Sequence, residues 1–66
     1  MTVVVNGELR ELDTGATVAD VVRTLTDADR GVAVALDGEV VPRSEWETTT
    51  LSAGRRLEVL RAVQGG

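Results

Sequence analysis

The residues with the greatest chemical potential in this sequence are the last two, Gly65 and Gly66. Glycine has no Cβ, so a Gly-Gly segment is slender and can be threaded into a narrow site. The α-carboxylate of Gly66 is a group that another enzyme could activate and modify. A terminal Gly-Gly pair can equally be a frayed end, because chain termini are commonly disordered. The rest of the sequence must decide between these two interpretations.

The residue types that the 66-residue chain lacks exclude most catalytic chemistry. It contains no His, Cys, Tyr or Lys, so the usual general bases and activated nucleophiles are missing. Asp27-x-Asp29 resembles the opening of a calcium loop, but Val32 stands where that loop requires glycine. We therefore expect no catalytic residue, no metal site and no cofactor bound by this chain.

Length and charge limit the other classes of function. We expect one domain over residues 1–66, since there is no room for a second core. A net charge of −4 with a single aromatic residue, Trp46, disfavours nucleic-acid binding. No apolar run approaches the ~20 residues that span a bilayer, and the first residues do not form a signal peptide. We expect a cytoplasmic protein that is monomeric alone and binds neither nucleic acid nor membrane.

Two turn signals organise the strands. The β-branched run Val3–Val5 leads into Asn6-Gly7, and the apolar run Val32–Leu36 leads into Asp37-Gly38. Both dipeptides are typical of type I′ hairpin turns. The continuously apolar second run predicts a strand that lies centrally or is covered on both faces. In the return strand of the first hairpin, Leu12 is expected to be buried rather than Leu9.

A helix is predicted between the two hairpins. Thr17 has the properties of an N-cap, with Asp20 three residues later. One apolar helical face follows at spacings of three and four residues, formed by Val18, Val21, Val22 and Leu25. Gly31 is expected to break the chain after this helix. Strands with one helix across the sheet predict an α+β roll, in which the first and last strands pair side by side.

The second half of the chain adds a short turn and a last strand. Residues 43–47 predict a helical turn with Ser44 as its cap, and Trp46 is expected to cover one end of the aliphatic core. In the last strand, residues 56–63, Leu57 and Val59 share one face. Leu60 and Ala62 would then face outward beside the C-terminal residues, as a small apolar patch suited to a partner. A different register that buries Leu60 remains open.

Taken together, these segments resemble the ThiS family of thiamine-biosynthesis sulfur carriers over the whole chain. The resemblance is carried by the following residues: Val5-Asn6-Gly7, Gly15-x-Thr17-Val18, Ala33–Leu36, Val40-Val41-Pro42-Arg43-Ser44-x-Trp46, Leu51, Gly54 and Gly65-Gly66. The family commonly has Gly-Asp where this chain has Gly54-Arg55, and often a small residue at the place of Gln64.

The resemblance implies a ubiquitin-like β-grasp fold, which agrees with a mixed sheet of four to five strands on one main helix. Residues 64–66 are expected to form a mobile tail, because nothing after Val63 can be buried. The resemblance also implies that a ThiF-like adenylyltransferase, using ATP and magnesium, adenylates Gly66. A cysteine desulfurase or another donor would then supply sulfur for a thiocarboxylate, which thiazole synthase consumes. Gly65 would act as the slender spacer. Three alternatives stay open: a carrier for another pathway such as molybdopterin synthesis, a ubiquitin-like protein modifier, or a plain binding module whose Gly-Gly pair is incidental.

Overall fold

A computed structural model describes residues 1–27 and 30–61. The expected mobility of residues 64–66 therefore falls outside the described residues. The elements are, in chain order, β1 (Thr2–Val5), β2 (Glu8–Glu11), α1 (Val18–Leu25), β3 (Val32–Leu36), β4 (Glu39–Val40), a 3₁₀ turn (Arg43–Glu45) and β5 (Arg56–Arg61). They form the mixed sheet and single α-helix that the sequence predicted.

Both hairpins turn where the dipeptide signals placed them. The φ angles are positive at Asn6 (51°) and Gly7 (82°), and again at Asp37 (50°) and Gly38 (87°). β1 pairs antiparallel with β2, and β3 pairs antiparallel with β4. In β2, Leu9 is 76% exposed, whereas Leu12 packs against the core. The choice between these two leucines is confirmed.

The helix begins at a complete capping box. The Thr17 hydroxyl accepts a hydrogen bond from the Asp20 N–H at 3.2 Å, and the Asp20 carboxylate accepts one from the Thr17 N–H at 2.9 Å. These bonds satisfy two backbone donors that would otherwise lack partners at a helix start. The helix ends at Leu25, with Thr26 as its C-cap. Gly31, with φ of 70°, lies directly before β3 rather than at the helix end.

The sheet has the strand order β2-β1-β5-β3-β4, so the last strand occupies its centre. β5 runs parallel to β1 and antiparallel to β3, which confirms the predicted pairing of first and last strands. One face of the sheet packs on α1. The core contains the following buried residues: Val3, Val5, Val18, Ala19, Val21, Val22, Val34, Leu36, Val41, Trp46, Leu51, Leu57 and Val59.

The prediction for β3 is confirmed in one of its two alternatives. β3 lies inside the sheet, between β5 and β4, but it is not covered on both faces, because Val34 and Leu36 are buried whereas Ala33 is exposed. Its apolar run reflects small alanines on the open side of a two-layer fold. Contrary to the prediction, Ser44 is not the cap of the 3₁₀ turn. Pro42 occupies that position in an extended conformation, and it makes no capping hydrogen bond because its side chain has no polar group.

Trp46 closes one end of the core, as predicted. Its side chain is buried, and its Nε1 donates a hydrogen bond to the Val41 carbonyl oxygen at 2.9 Å. A buried indole N–H needs such a partner, because leaving it unsatisfied would cost free energy. Trp46 therefore stabilises the loop between β4 and β5.

Candidate functional site

The predicted site residues are divided between described and undescribed parts of the chain. Gly66, Gly65 and Ala62 lie outside the described residues. Leu60 is described: it lies in β5, and its side chain is 66% exposed. Leu57 and Val59 in the same strand are buried, so the side chains alternate as predicted and the register that buries Leu60 is excluded.

Leu60 belongs to a small apolar patch on the sheet face opposite α1. In the strand register Leu60 pairs with Ala33, and Ala35 pairs with Val40. Paired residues project from the same face of a sheet. Ala33, Ala35, Val40 and Leu60 therefore share this face, and we call them the outer patch. Glu58 pairs with Ala35 and supplies a charge at its border.

Val40 is a member of the outer patch that the sequence reasoning missed. Its side chain is 78% exposed, while the next residue, Val41, is buried. The signal was available: two adjacent residues of an extended chain point to opposite faces, so Val40 and Val41 could not both enter the core. The missing information was the pairing of Val40 with Ala35, which brings it to the same face as Leu60.

A second apolar position on this face lies apart from the outer patch. Leu9 in β2 pairs with Val4, and Val4 also pairs with Arg56 in β5. β1 thus lies between Leu9 and β5 across the sheet. Along β5, Arg56 and Glu58 precede Leu60 on the same face. Leu9 is 76% exposed and Leu60 is 66% exposed, but Leu9 lies in the edge strand β2, whereas Leu60 lies in the central strand β5.

A groove of about 510 Å³ lies between α1 and the 3₁₀ turn. Its walls include Val22, Arg23, Trp46 and Glu47. The Arg23 guanidinium bridges Asp20 at 2.8 Å and Glu47 at 3.0 Å. Arg23 is therefore paired with two carboxylates within the protein, and the groove is also lined by Asp27 and Arg43.

The perturbed pKa values have structural causes. The Thr17 N–H lowers the pKa of Asp20, and the Arg56 N–H lowers that of Asp37, since each backbone donor stabilises the carboxylate. The Thr2 hydroxyl lowers the pKa of Glu11 in the same way. All these carboxyl groups cap a helix, a turn or a strand edge. They are held in the ionised form and are unsuited to proton transfer near neutral pH.

Within residues 1–27 and 30–61, no group of three or more acidic residues is placed so that it could hold a metal ion. No helix in this part of the chain is long and apolar enough to cross a membrane. The geometry thus offers a stable scaffold whose central strand, β5, runs toward the C-terminal residues with an apolar patch beside it.

Comparison with known proteins shows where this arrangement occurs. The model of the ThiS family matches residues 3–66. The sulfur carrier protein ThiS of Escherichia coli K12 is 24% identical over 66 residues, which cover both chains completely. A thiazole synthase of Paramagnetospirillum magneticum is 33% identical over the same length. The chain spans only 20% of that protein, so the similarity concerns one segment of it.

Solved structures agree with the sequence comparisons. The crystal structure of the thiamine biosynthesis protein ThiS from Geobacter metallireducens has a TM-score of 0.79 and 32% identity, and the match covers all of both chains. A solution structure of a thiamine biosynthesis protein from the same organism has a TM-score of 0.80 and 32% identity, covering all of this chain and 88% of the other. The ubiquitin-like β-grasp fold is confirmed. The chain belongs to the ThiS family.

Proposed function

We propose that this protein carries sulfur for the formation of the thiazole ring of thiamine, with Gly66 as the attachment point. The observation that carries the proposal is the family match, which extends to Gly66 and includes the E. coli sulfur carrier over its whole length. The absence of His, Cys and Lys from the sequence agrees with a chain on which other enzymes act.

The first step activates the C-terminus. A carboxylate is a poor electrophile, because its negative charge is delocalised and its oxygens are poor leaving groups. A ThiF-like enzyme with ATP and magnesium overcomes this difficulty: a Gly66 carboxylate oxygen attacks the α-phosphorus of ATP, and pyrophosphate leaves. The product is an acyl-adenylate, whose leaving group is AMP.

The second step introduces sulfur. The terminal sulfur of an enzyme persulfide, formed by a cysteine desulfurase or another donor, attacks the acyl carbon and displaces AMP. The resulting acyl disulfide is cleaved by a thiol, which forms a disulfide with the donor cysteine and leaves the thiocarboxylate on Gly66. Thiazole synthase then receives this sulfur. The similarity of the chain to a segment of a thiazole synthase supports that choice of acceptor.

In this scheme the folded domain recognises the partner enzymes, and the C-terminal residues enter their active sites. Gly65 keeps the approach narrow, since it has no side chain. The outer patch, together with Ala62, is proposed as the surface that partners contact. Leu60 and Val40 are large apolar side chains that folding leaves exposed, which is typical of an interaction surface.

Intact-mass measurement tests the proposed function. The chain is incubated with a ThiF-like enzyme, ATP, magnesium and a persulfide donor, with a chain lacking Gly66 as the control. We expect the mass of the chain to increase by the difference between one sulfur atom and one oxygen atom. This increase should require ATP and be absent from the control. Covalent adducts with other proteins would instead favour a ubiquitin-like modifier.

The acceptor is tested separately. The thiocarboxylate form is added to thiazole synthase and its other substrates, or to molybdopterin synthase components. Loss of sulfur from the carrier with formation of thiazole supports the proposed pathway. Sulfur transfer only in the molybdopterin reaction would assign the chain to that pathway, and an unchanged mass in the first experiment would overturn sulfur carriage altogether.

A further inference from the structure

Asn6 makes contacts that its place in a hairpin turn does not require. Its backbone N–H donates to the Leu57 carbonyl oxygen at 2.9 Å, as the next bond of the ladder between β1 and β5. Its side chain then bonds to Val59. The Asn6 Oδ1 accepts the Val59 N–H at 2.8 Å, and the Asn6 Nδ2 donates to the Val59 carbonyl oxygen at 3.2 Å.

These two bonds extend the sheet beyond the end of β1. Backbone pairing between β1 and β5 covers only Val4 with Arg56 and Val5 with Leu57. After Val5 the first strand turns away, because Asn6 has a positive φ. A side-chain amide offers one acceptor and one donor group, as a peptide unit does. The Asn6 amide therefore supplies to Val59 the two bonds that a longer β1 would have supplied.

The consequence concerns the end of β5. On its other side, β5 is held by β3 as far as the pair Arg61 and Val32. On the β1 side, the hydrogen bonds of the described residues to β5 end at Val59, where the Asn6 amide makes the last two. Gly66 is the seventh residue after Val59. Within the described part of the chain, Val59 is thus the last residue of β5 that is held from both sides, by Asn6 and by pairing with β3, and Arg61 is held by β3 alone. The order of the end of β5 therefore depends in part on the Asn6 amide.

We propose that Asn6 is a positioning residue for the reaction at Gly66: its amide holds the end of β5 in the sheet, so that the C-terminal residues leave the domain from one fixed point. The inference rests on the proposed function. A partner that recognises the folded domain needs Gly66 at a set distance from it. Carriers in which the end of β5 is detached cannot react with the partner enzyme. The apparent KM for the carrier therefore rises as the competent fraction falls.

The second hairpin offers a matched control. Asp37 is also the first residue of a turn with positive φ, and its Oδ1 accepts the Arg56 N–H at 2.9 Å. It thus bonds to the opposite, N-terminal end of β5. Glycine accepts positive φ in either turn. Asn6→Gly and Asp37→Gly therefore keep both turns. Asn6→Gly removes two hydrogen bonds to Val59, whereas Asp37→Gly removes the bond to the Arg56 N–H and the ion pair with Arg55, which lies just before β5.

The experiment combines steady-state kinetics of ATP-dependent activation with amide hydrogen exchange, at a temperature where urea unfolding shows all variants to be folded. We expect Asn6→Gly to raise the KM for the carrier about tenfold with kcat nearly unchanged. Asp37→Gly is expected to lower stability without this KM change. Exchange at Val59 should become faster in Asn6→Gly and remain slow in Asp37→Gly.

An unchanged KM for Asn6→Gly, or equal KM increases in the two variants, would overturn the positioning role. Asn6→Asp refines the test: it keeps an acceptor for the Val59 N–H but directs a carboxylate oxygen at the Val59 carbonyl. It should behave like Asn6→Gly in KM. If the unaltered chain is not activated at all, the proposed function has failed. Exchange at Val59 still decides whether the amide contact holds the strand, and unchanged exchange overturns the inference by itself.

Discussion

The two faces of the sheet use the same strands for different purposes. On the inner face, which packs on α1, Leu57 is 0% exposed and Val59 is 7% exposed. Leu60 directly follows Val59 in β5, but it lies on the outer face and is 66% exposed. The inner face supplies the stability of a small domain. The outer patch on the other face is apolar without serving the core, and an exposed apolar patch is typical of an interaction surface.

The largest effect should come from the inner face. Leu57→Ala removes a fully buried side chain at the centre of the sheet and leaves a cavity, which is expected to lower the free energy of unfolding by about 2–5 kcal/mol. A domain of this size has a narrow stability margin. Urea denaturation followed by circular dichroism measures the change. Leu60→Ala in the same strand should stay within about 0.5 kcal/mol, and equal losses would contradict the assignment of the two faces.

The cap of α1 should matter less than the core beneath it. Thr17→Ala removes the hydroxyl that accepts the Asp20 N–H, and is expected to lower the free energy of unfolding by about 1 kcal/mol. Thr17→Ser keeps the hydroxyl and serves as the control in the same urea experiment. A loss of equal size in both variants would show that packing of the Thr17 methyl group, rather than capping, stabilises the helix.

The outer face should affect partner binding rather than folding. Leu60→Ser is expected to raise the KM of the activating enzyme for the carrier about fivefold, as loss of about 1 kcal/mol of contact energy would do. Leu9→Ser is the matched control, since Leu9 is similarly exposed but lies in the edge strand β2, apart from the outer patch. Equal KM values for the two variants would show that the outer patch does not contribute to binding of the activating enzyme.

The smallest effect is expected from acidic groups that belong to neither face. Backbone N–H donors hold the pKa of Asp20 and Asp37 below the ordinary value of 3.8. Their contribution to stability is therefore complete above that value and is lost as the pH falls through the lower folded-state pKa values. We expect the Asp20→Asn/Asp37→Asn double variant to lose less stability than the unaltered chain below about pH 4. Parallel urea curves at each pH measure this, and identical pH dependence would contradict it.

The turns and the helix start could be predicted because their conformations depend on residues that are neighbours in the sequence. Asn6-Gly7, Asp37-Gly38 and the Thr17 capping box each act through neighbouring residues, and all three are confirmed. The burial of Leu57 followed from strand alternation. Such signals depend on the conformations that single residues favour, so they can be read without knowing how the strands are arranged.

Apart from the cap of the 3₁₀ turn, the missed features depend on how strands pair or on contacts between distant segments. Val40 joins the outer patch only because β4 pairs with β3. The open face of β3 follows from a two-layer fold, in which a continuous apolar run does not need two covers. The Asn6 amide bonds to a residue 53 positions away in the sequence. A turn motif indicates the backbone conformation of Asn6 and carries no information about the partner of its side chain.

The most direct test of Gly66 as the sulfur carrier is to locate the sulfur atom. The protein is treated with a ThiF-like enzyme, ATP, magnesium and an isotopically labelled persulfide, then cleaved, and its C-terminal peptide is fragmented by mass spectrometry before and after addition of thiazole synthase. We expect labelled sulfur on Gly66 alone, which disappears as labelled thiazole forms. Label elsewhere in the chain, or a C-terminal peptide that stays unmodified while thiazole forms, would contradict the proposed role of Gly66.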